Sequence, residues 1–191
     1  CIGKGRSLID SITSAHEAVI QAAEAGLGHW GMGTTVVVLR LIGSGYEIAW
    51  VGDSRAYVYR DNQLYQLSKD HSMVQEMVDN GEITQEEAEF HPQRNIISQA
   101  VGSPEMDYIA VDVVRGELLN GESILLCSDG LTTEVREVNI AEVLQDNSDV
   151  ETKAKKLINS ALSSGGNDNV TVVIVERKLP NDFSMSPPKD M

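Results

Sequence analysis

Three short acidic turns, each set beside an apolar stretch, carry the chemistry this sequence offers: Val51-Gly52-Asp53-Ser54-Arg55, Cys127-Ser128-Asp129-Gly130-Leu131 and Gly165-Gly166-Asn167-Asp168-Asn169-Val170. A strand that ends in a short turn holds the turn's side chain rigidly. Carboxylates grouped without compensating lysines are the hard oxygen donors that Mg²⁺ and Mn²⁺ prefer. If the three turns converge, the chemistry they imply is metal chemistry on phosphate. Each turn also has a plainer reading. Asp129 before Gly130 suits a turn aspartate that bonds its own backbone. Asp168 suits a loop that ends one helix and enters a strand. Asp53 suits a local ion pair with Arg55, worth ~0.2 to 1 kcal/mol if exposed. Singly, each turn leaves both readings open; three together favour convergence.

The elements that must position these turns follow from periodicity. Leu8, Ile12, Ala15 and Val19 recur at helical spacing, which predicts an amphipathic helix over residues 7–25, stopped by Gly26 and Gly28. The β-branched run 34–42 predicts a buried strand that turns at Gly43-Ser44-Gly45 and returns over 46–51. A second hairpin over 56–60 and 64–67 turns at Asp61-Asn62, giving an antiparallel meander. Residues 70–102 break the pattern. Met73, Val74, Met77 and Val78 suit a short helix, and Thr84 with Glu87 reads as the capping box of another, closed by His91-Pro92. Strands over 108–114 and 122–128, helices near 139–145 and 150–162, and a strand over 170–175 complete the domain, followed by a polar tail from about 179. Strands with helices before and after them indicate an α+β layered domain, a β-sandwich covered by helices, rather than a doubly wound sheet.

Composition excludes several functions. A length of 191 residues with 41% apolar content and a mean hydropathy of -0.17 suits one globular domain. The formal charge of -14 speaks against a nucleic-acid surface, which selects lysine and arginine clusters. No run reaches the ~18 apolar residues of a membrane span, so no membrane partner is expected. Cys1 and Cys127 make neither a disulfide framework nor a zinc pattern; Cys127 reads as core, and a cytoplasmic location is the expectation.

In order and spacing, Gly31-Met32-Gly33-Thr34-Thr35, Gly52-Asp53-Ser54-Arg55, Leu67-Ser68-Lys69-Asp70-His71-Ser72, Ile97-Ser98-Gln99-Ala100-Val101-Gly102, Ser128-Asp129-Gly130-Leu131 and Asn167-Asp168-Asn169-Val170-Thr171 resemble the type 2C, metal-dependent serine/threonine protein phosphatases (PPM family) in their compact bacterial form. The resemblance implies a four-layer αββα sandwich of two antiparallel sheets with Mn²⁺ or Mg²⁺ in a cleft at one edge: two catalytic ions, with a third held more weakly. Carried over residue by residue, Asp129 and Asp168 become the catalytic ligands of one ion, and Asp53 with Asp129 the site of the third. Asn169 would support Asp168 from behind, as Gly130 would Asp129. Residues 70–102 correspond to the flap, with Met73, Met77 and Arg94 as candidates for substrate recognition, and His71 and His91 there read as structural. The implied activity is hydrolysis of phospho-Ser/Thr by a metal-activated water, on a phosphorylated protein such as a Ser/Thr kinase or its targets, in opposition to a bacterial kinase.

Before Gly31 the sequence departs from the family, whose phosphate-binding arginine, Glu-Asp pair and ion-bridging aspartate turn have no counterpart here. Asp10, Glu17 and Glu24 lie in the predicted amphipathic helix and suit a solvated face. The expectation is a phosphatase domain over 1–178 that lacks its N-terminal strands, with a tail over 179–191. Alone, such a chain would have little or no activity, and Val36 and Val38 would be uncovered inner-face residues. The alternative is a catalytically incomplete binding or regulatory module.

Overall fold

The computed structural model describes residues 5–106 and 108–178; the predicted tail lies outside them. Helix α1 (Leu8–Glu24) starts at Ser7, whose hydroxyl accepts the Asp10 N–H at 3.0 Å. Strand β1 (Val36–Ile42) pairs with β2 (Gly45–Val51), and β3 (Arg55–Arg60) with β4 (Gln63–Gln66). The second hairpin turns on Asp61 and Asn62 with φ of 50° and 59°, the left-handed pair a two-residue turn requires. Helices α2 (Met73–Asp79) and α3 (Gln85–Phe90) follow, and the Thr84–Glu87 capping box is formed in both directions. The order then runs β5 (Asp112–Glu117), β6 (Ser123–Cys127), α4 (Asp129–Thr132), α5 (Glu137–Gln145), α6 (Val150–Ser164) and β7 (Val172–Glu176).

The four early strands do not form one meander. They divide between two antiparallel sheets, β1-β2-β5 and β4-β3-β6-β7. Gly52, at φ 107°, turns the chain out of the first sheet, and β3 then bonds β4 and β6 instead of β2. Strand β5 also begins later than its apolar run suggests. Ile109 is buried beneath α1, and the Ala110 N–H is taken by the Gln99 side-chain oxygen at 2.8 Å, so this stretch is held outside the ladder.

Three clusters fill the four layers. Tyr46, Ile48 and Trp50 of β2 meet Ala56 and Val58 of β3 and Ile124 and Leu126 of β6 inside the sandwich. The opposite faces of β3 and β6, Tyr57, Tyr59, Leu125 and Cys127, pack on α4 to α6 through Leu131, Ile140, Leu157 and Ala161. Ala49 and Val51 pack on Leu8 and Ile12 of α1. Strand alternation corrects the predicted inner face: Val37 and Leu39 join the sandwich interior, whereas Val36 and Val38 face the α1 side. Cys127 is buried as expected, and burial pushes its thiol up to about 12. No described helix is long and apolar enough to cross a membrane.

Candidate metal centre

Asp129 is positioned by the most deeply buried strand. All five residues of β6 are buried, and the chain leaves it through Ser128 into the single turn α4, which Asp129 begins. The loop bearing Asp168 is fastened to this point. Ser128 Oγ donates to the Asn169 carbonyl at 3.1 Å and accepts the Thr171 N–H at 3.0 Å, while the Ser128 N–H donates to the Thr171 carbonyl. A Cβ on Gly130 would lie 2.4 Å from the Asn169 carbonyl oxygen, so the close approach of the two acidic turns requires glycine there. Asn169 supports Asp168 with its backbone: its N–H donates to Asp168 Oδ1 at 2.6 Å.

Asp53 stands where the chain crosses between the sheets. The Gly52 N–H donates to His71 Nδ1 at 3.2 Å, and the His71 N–H donates to the Gly52 carbonyl at 3.0 Å. Because Nδ1 accepts, Nε2 carries the ring proton and donates to Asp112 at 3.3 Å. His71 therefore braces the crossover, consistent with a structural histidine; His91 ends α3 and accepts the Gln93 N–H. The local Asp53–Arg55 pair is not formed. Arg55 instead forks onto Asp70, with Nε 3.0 Å from both carboxylate oxygens and Nη2 2.8 Å from one, and it also donates to the Tyr57 hydroxyl. The planar fork matches a carboxylate better through Asp70 than through a neighbour two residues away.

This arrangement leaves the acidic turns without a direct ion-pair partner, although the charge of Arg55 still acts on Asp53. Among the described residues no cation forms an ion pair with Asp53, Asp129 or Asp168. Burial, then the charge of Asp129, pushes Asp53 up to about 6, with Asp70 adding to the effect. Asp129 is raised as well, by burial and then by the charge of Asp168. Such repulsion is relieved by protons or by bound cations, and the donors are the hard oxygens that Mg²⁺ or Mn²⁺ takes. The structure brings Asp129 beside Asp168 and Asp53 beside Asp129, as pairs. Among the described residues, no group of three or more His, Cys, Asp or Glu side chains is placed to hold a metal ion. The donor type therefore fits a divalent ion, with the rest of its coordination left to water or to other groups.

Asp53 and Asp129 open onto a cleft of about 500 Å³ that they floor together with Asp70, whereas Asp168 does not line it. One wall comes from α2, α3 and the segment after it, the other from α4 and α5. Arg94 lines this cleft, and on α2 the lining residues are Val74 and Gln75; Met73 and Met77 are half-buried and do not line it. Sequence reasoning missed Asp70, although Ser68-Lys69-Asp70-His71-Ser72 contains it, because the partner of Arg55 depends on the fold. Arg136 also lines the cleft, and it has no local signal in the sequence beyond preceding a helix.

Comparison with known proteins accords with this geometry. Residues 4–77 match the family Protein phosphatase 2C. The serine/threonine phosphatase stp of Listeria welshimeri is 39% identical over 168 residues, covering 88% of this chain and 66% of that protein. The crystal structure of the serine/threonine phosphatase Stp1 from Staphylococcus aureus matches with a TM-score of 0.84 at 34% identity, over 93% of this chain and 70% of that one. The catalytic domain of the serine/threonine protein phosphatase PstP, in complex with two manganese ions, matches with a TM-score of 0.76 at 35% identity, over 91% of this chain and 73% of that one. The chain thus spans slightly under two thirds of the curated Listeria relative. On shared sequence over most of its length and on a shared two-sheet sandwich, it belongs to the protein phosphatase 2C (PPM) family.

Proposed function

We propose that this chain supplies the metal site and substrate cleft of a bacterial metal-dependent phosphoprotein phosphatase. The protein would remove phosphate from Ser or Thr of a phosphorylated protein, a kinase or its targets, and so oppose a protein kinase in cytoplasmic signal transduction. One observation carries this reading: Asp129 lies with Asp53 on the floor of a cleft and close to Asp168 as well, and among the described residues no cation forms an ion pair with any of the three. Mn²⁺ or Mg²⁺ bound there would make a water acidic enough to attack phosphorus and would neutralise charge on the phosphoryl oxygens.

The chain's own residues have distinct parts. Asp129 and Asp168 would hold one ion of the catalytic pair, fixed to each other by Ser128 and by the close approach at Gly130. Asp53 with Asp129 would hold a further ion more weakly, because Asp53 retains a proton up to about pH 6 that a cation must displace. The Arg55–Asp70 fork fixes the cleft floor, and residues 70–102 form the flap over one wall. Residues 1–178 would be the phosphatase domain and 179–191 its tail. A binding or regulatory module is the second reading. It is favoured by the lack, among the described residues, of a three-ligand group.

The test measures phosphate release from p-nitrophenyl phosphate and from a phosphothreonine peptide with Mn²⁺. The chain is assayed alone and within the open reading frame that encodes it, each beside its Asp129→Asn variant. Little turnover by the chain alone, and turnover by the reading-frame product that Asp129→Asn abolishes, is the expected result. Metal-dependent peptide binding with no turnover in any form would leave the binding module as the function.

A further inference from the structure

The cleft is lined by two arginines that its acidic floor does not use. Arg94, which follows α3, and Arg136, which precedes α5, are both exposed and both line the cleft. Among the described residues neither takes part in an ion pair, whereas Arg55, the third arginine of the cleft, is spent on Asp70. The other charges nearby are accounted for. Glu137 accepts the Tyr57 hydroxyl at 3.0 Å and lies 3.8 Å from Arg55, which leaves Glu89 on α3 as the free carboxylate of the walls. Two unpaired guanidiniums on one cleft are unusual in a chain of charge -14. A guanidinium prefers an anion, and among the described residues no carboxylate of the floor pairs with either arginine. Each arginine also has an exposed apolar neighbour on the cleft: Phe90, at the end of α3, is 82% exposed and Val138, in α5, is 59% exposed.

Resting on the phosphatase reading above, we infer that the cleft selects phosphopeptides with an acidic residue beside the phosphorylated one. Arg94 and Arg136 take that side chain's carboxylate, and Phe90 and Val138 cover the apolar part of the peptide next to it. A guanidinium fork suits a carboxylate through two parallel N–H···O bonds. Both arginines are exposed, so the contribution is modest and salt-sensitive. It sets which peptide is preferred rather than whether phosphate is engaged.

The test uses this chain with Mn²⁺ and two fluorescein-labelled phosphothreonine peptides, identical except for Glu or Lys at the positions flanking the phosphothreonine. Fluorescence anisotropy at low salt should show the Glu peptide bound about five- to tenfold more tightly, and the difference should shrink at high salt. The double variant Arg94→Ala/Arg136→Ala should erase the preference, and Arg94→Glu/Arg136→Glu should reverse it. Equal binding of both peptides to the parent chain would overturn the inference and leave the phosphatase reading standing. An equal loss for both peptides in the alanine variant would place the arginines on the phosphate and also overturn it. Failure of either peptide to bind would count against the inference and against the phosphoprotein reading together.

Discussion

The two outer faces of the sandwich are covered very differently. The β4-β3-β6-β7 sheet lies under three helices, with Leu131, Ile140, Leu157 and Ala161 at 0% exposure between them. The β1-β2-β5 sheet meets α1 through Leu8 and Ile12, and its edge strand β1 leaves Leu41 and Ile42 exposed. The acidic residues inherit this difference. Asp129 extends the fully buried β6, Asp168 is exposed and depends on Ser128 and Gly130 for its place, and Asp53 hangs on the crossover between the sheets. A site built this way has one firmly held carboxylate and two that are positioned through it or through a turn.

The contrast in burial is the first thing to break. Leu157→Ala should lower stability by about 2–5 kcal/mol, because the surrounding helices cannot collapse onto the lost volume. Val38→Ala, on a half-buried strand beside α1, should cost about 1 kcal/mol or less. Urea unfolding of both variants would measure the ratio, and equal losses would show that the two faces are equally packed.

Dependence of the Asp168 loop on Asp129 is the second. Gly130→Ala must displace the Asn169 carbonyl, at a cost of about 1–3 kcal/mol. It should also weaken Mn²⁺ binding while the chain remains folded. Calorimetric titration with Mn²⁺ and a thermal melt on the same sample separate the two effects. Unchanged affinity would mean that the approach at Gly130 does not set the site.

The smallest expected effect concerns Asp53 in metal-free protein. Its folded-state pKa is raised from 3.8 to about 6, so the folded state holds a proton that the unfolded state has released. This group's stabilising term is fully present below about pH 4 and is lost as pH rises through about 6. Allowing for screening of a partly exposed group, Asp53→Asn should raise stability at pH 7 by about 1 kcal/mol and have little effect at pH 4. Chemical unfolding at the two pH values tests the sign; a destabilised variant at pH 7 would contradict the raised pKa.

Much of this was legible in the sequence because it was local. The Thr84 capping box, the Asp61-Asn62 turn and the helical stripe of α1 are set by residues within four positions of one another. What depended on partners far along the chain was not legible. The pattern of 34–67 fits a meander as well as two hairpins, and only the bonding of β3 to β6 decides between them. The Asp53–Arg55 pair was a sound local reading that Asp70, fifteen residues from Arg55, displaces. Asp129 was placed correctly at a strand end, but the turn α4 that it begins is too short to show a period. The presence of Arg94 and Arg136 on one cleft belongs to no local pattern.

The central claim is that Asp129 is the carboxylate common to both pairs, and isothermal titration of Mn²⁺ into this chain and its Asp129→Asn, Asp168→Asn and Asp53→Asn variants tests it most directly. Asp129→Asn should weaken every binding event. Asp168→Asn should weaken the tighter one, and Asp53→Asn the weaker one alone. Affinity unchanged in Asp129→Asn, or loss of all binding in Asp53→Asn, would contradict it.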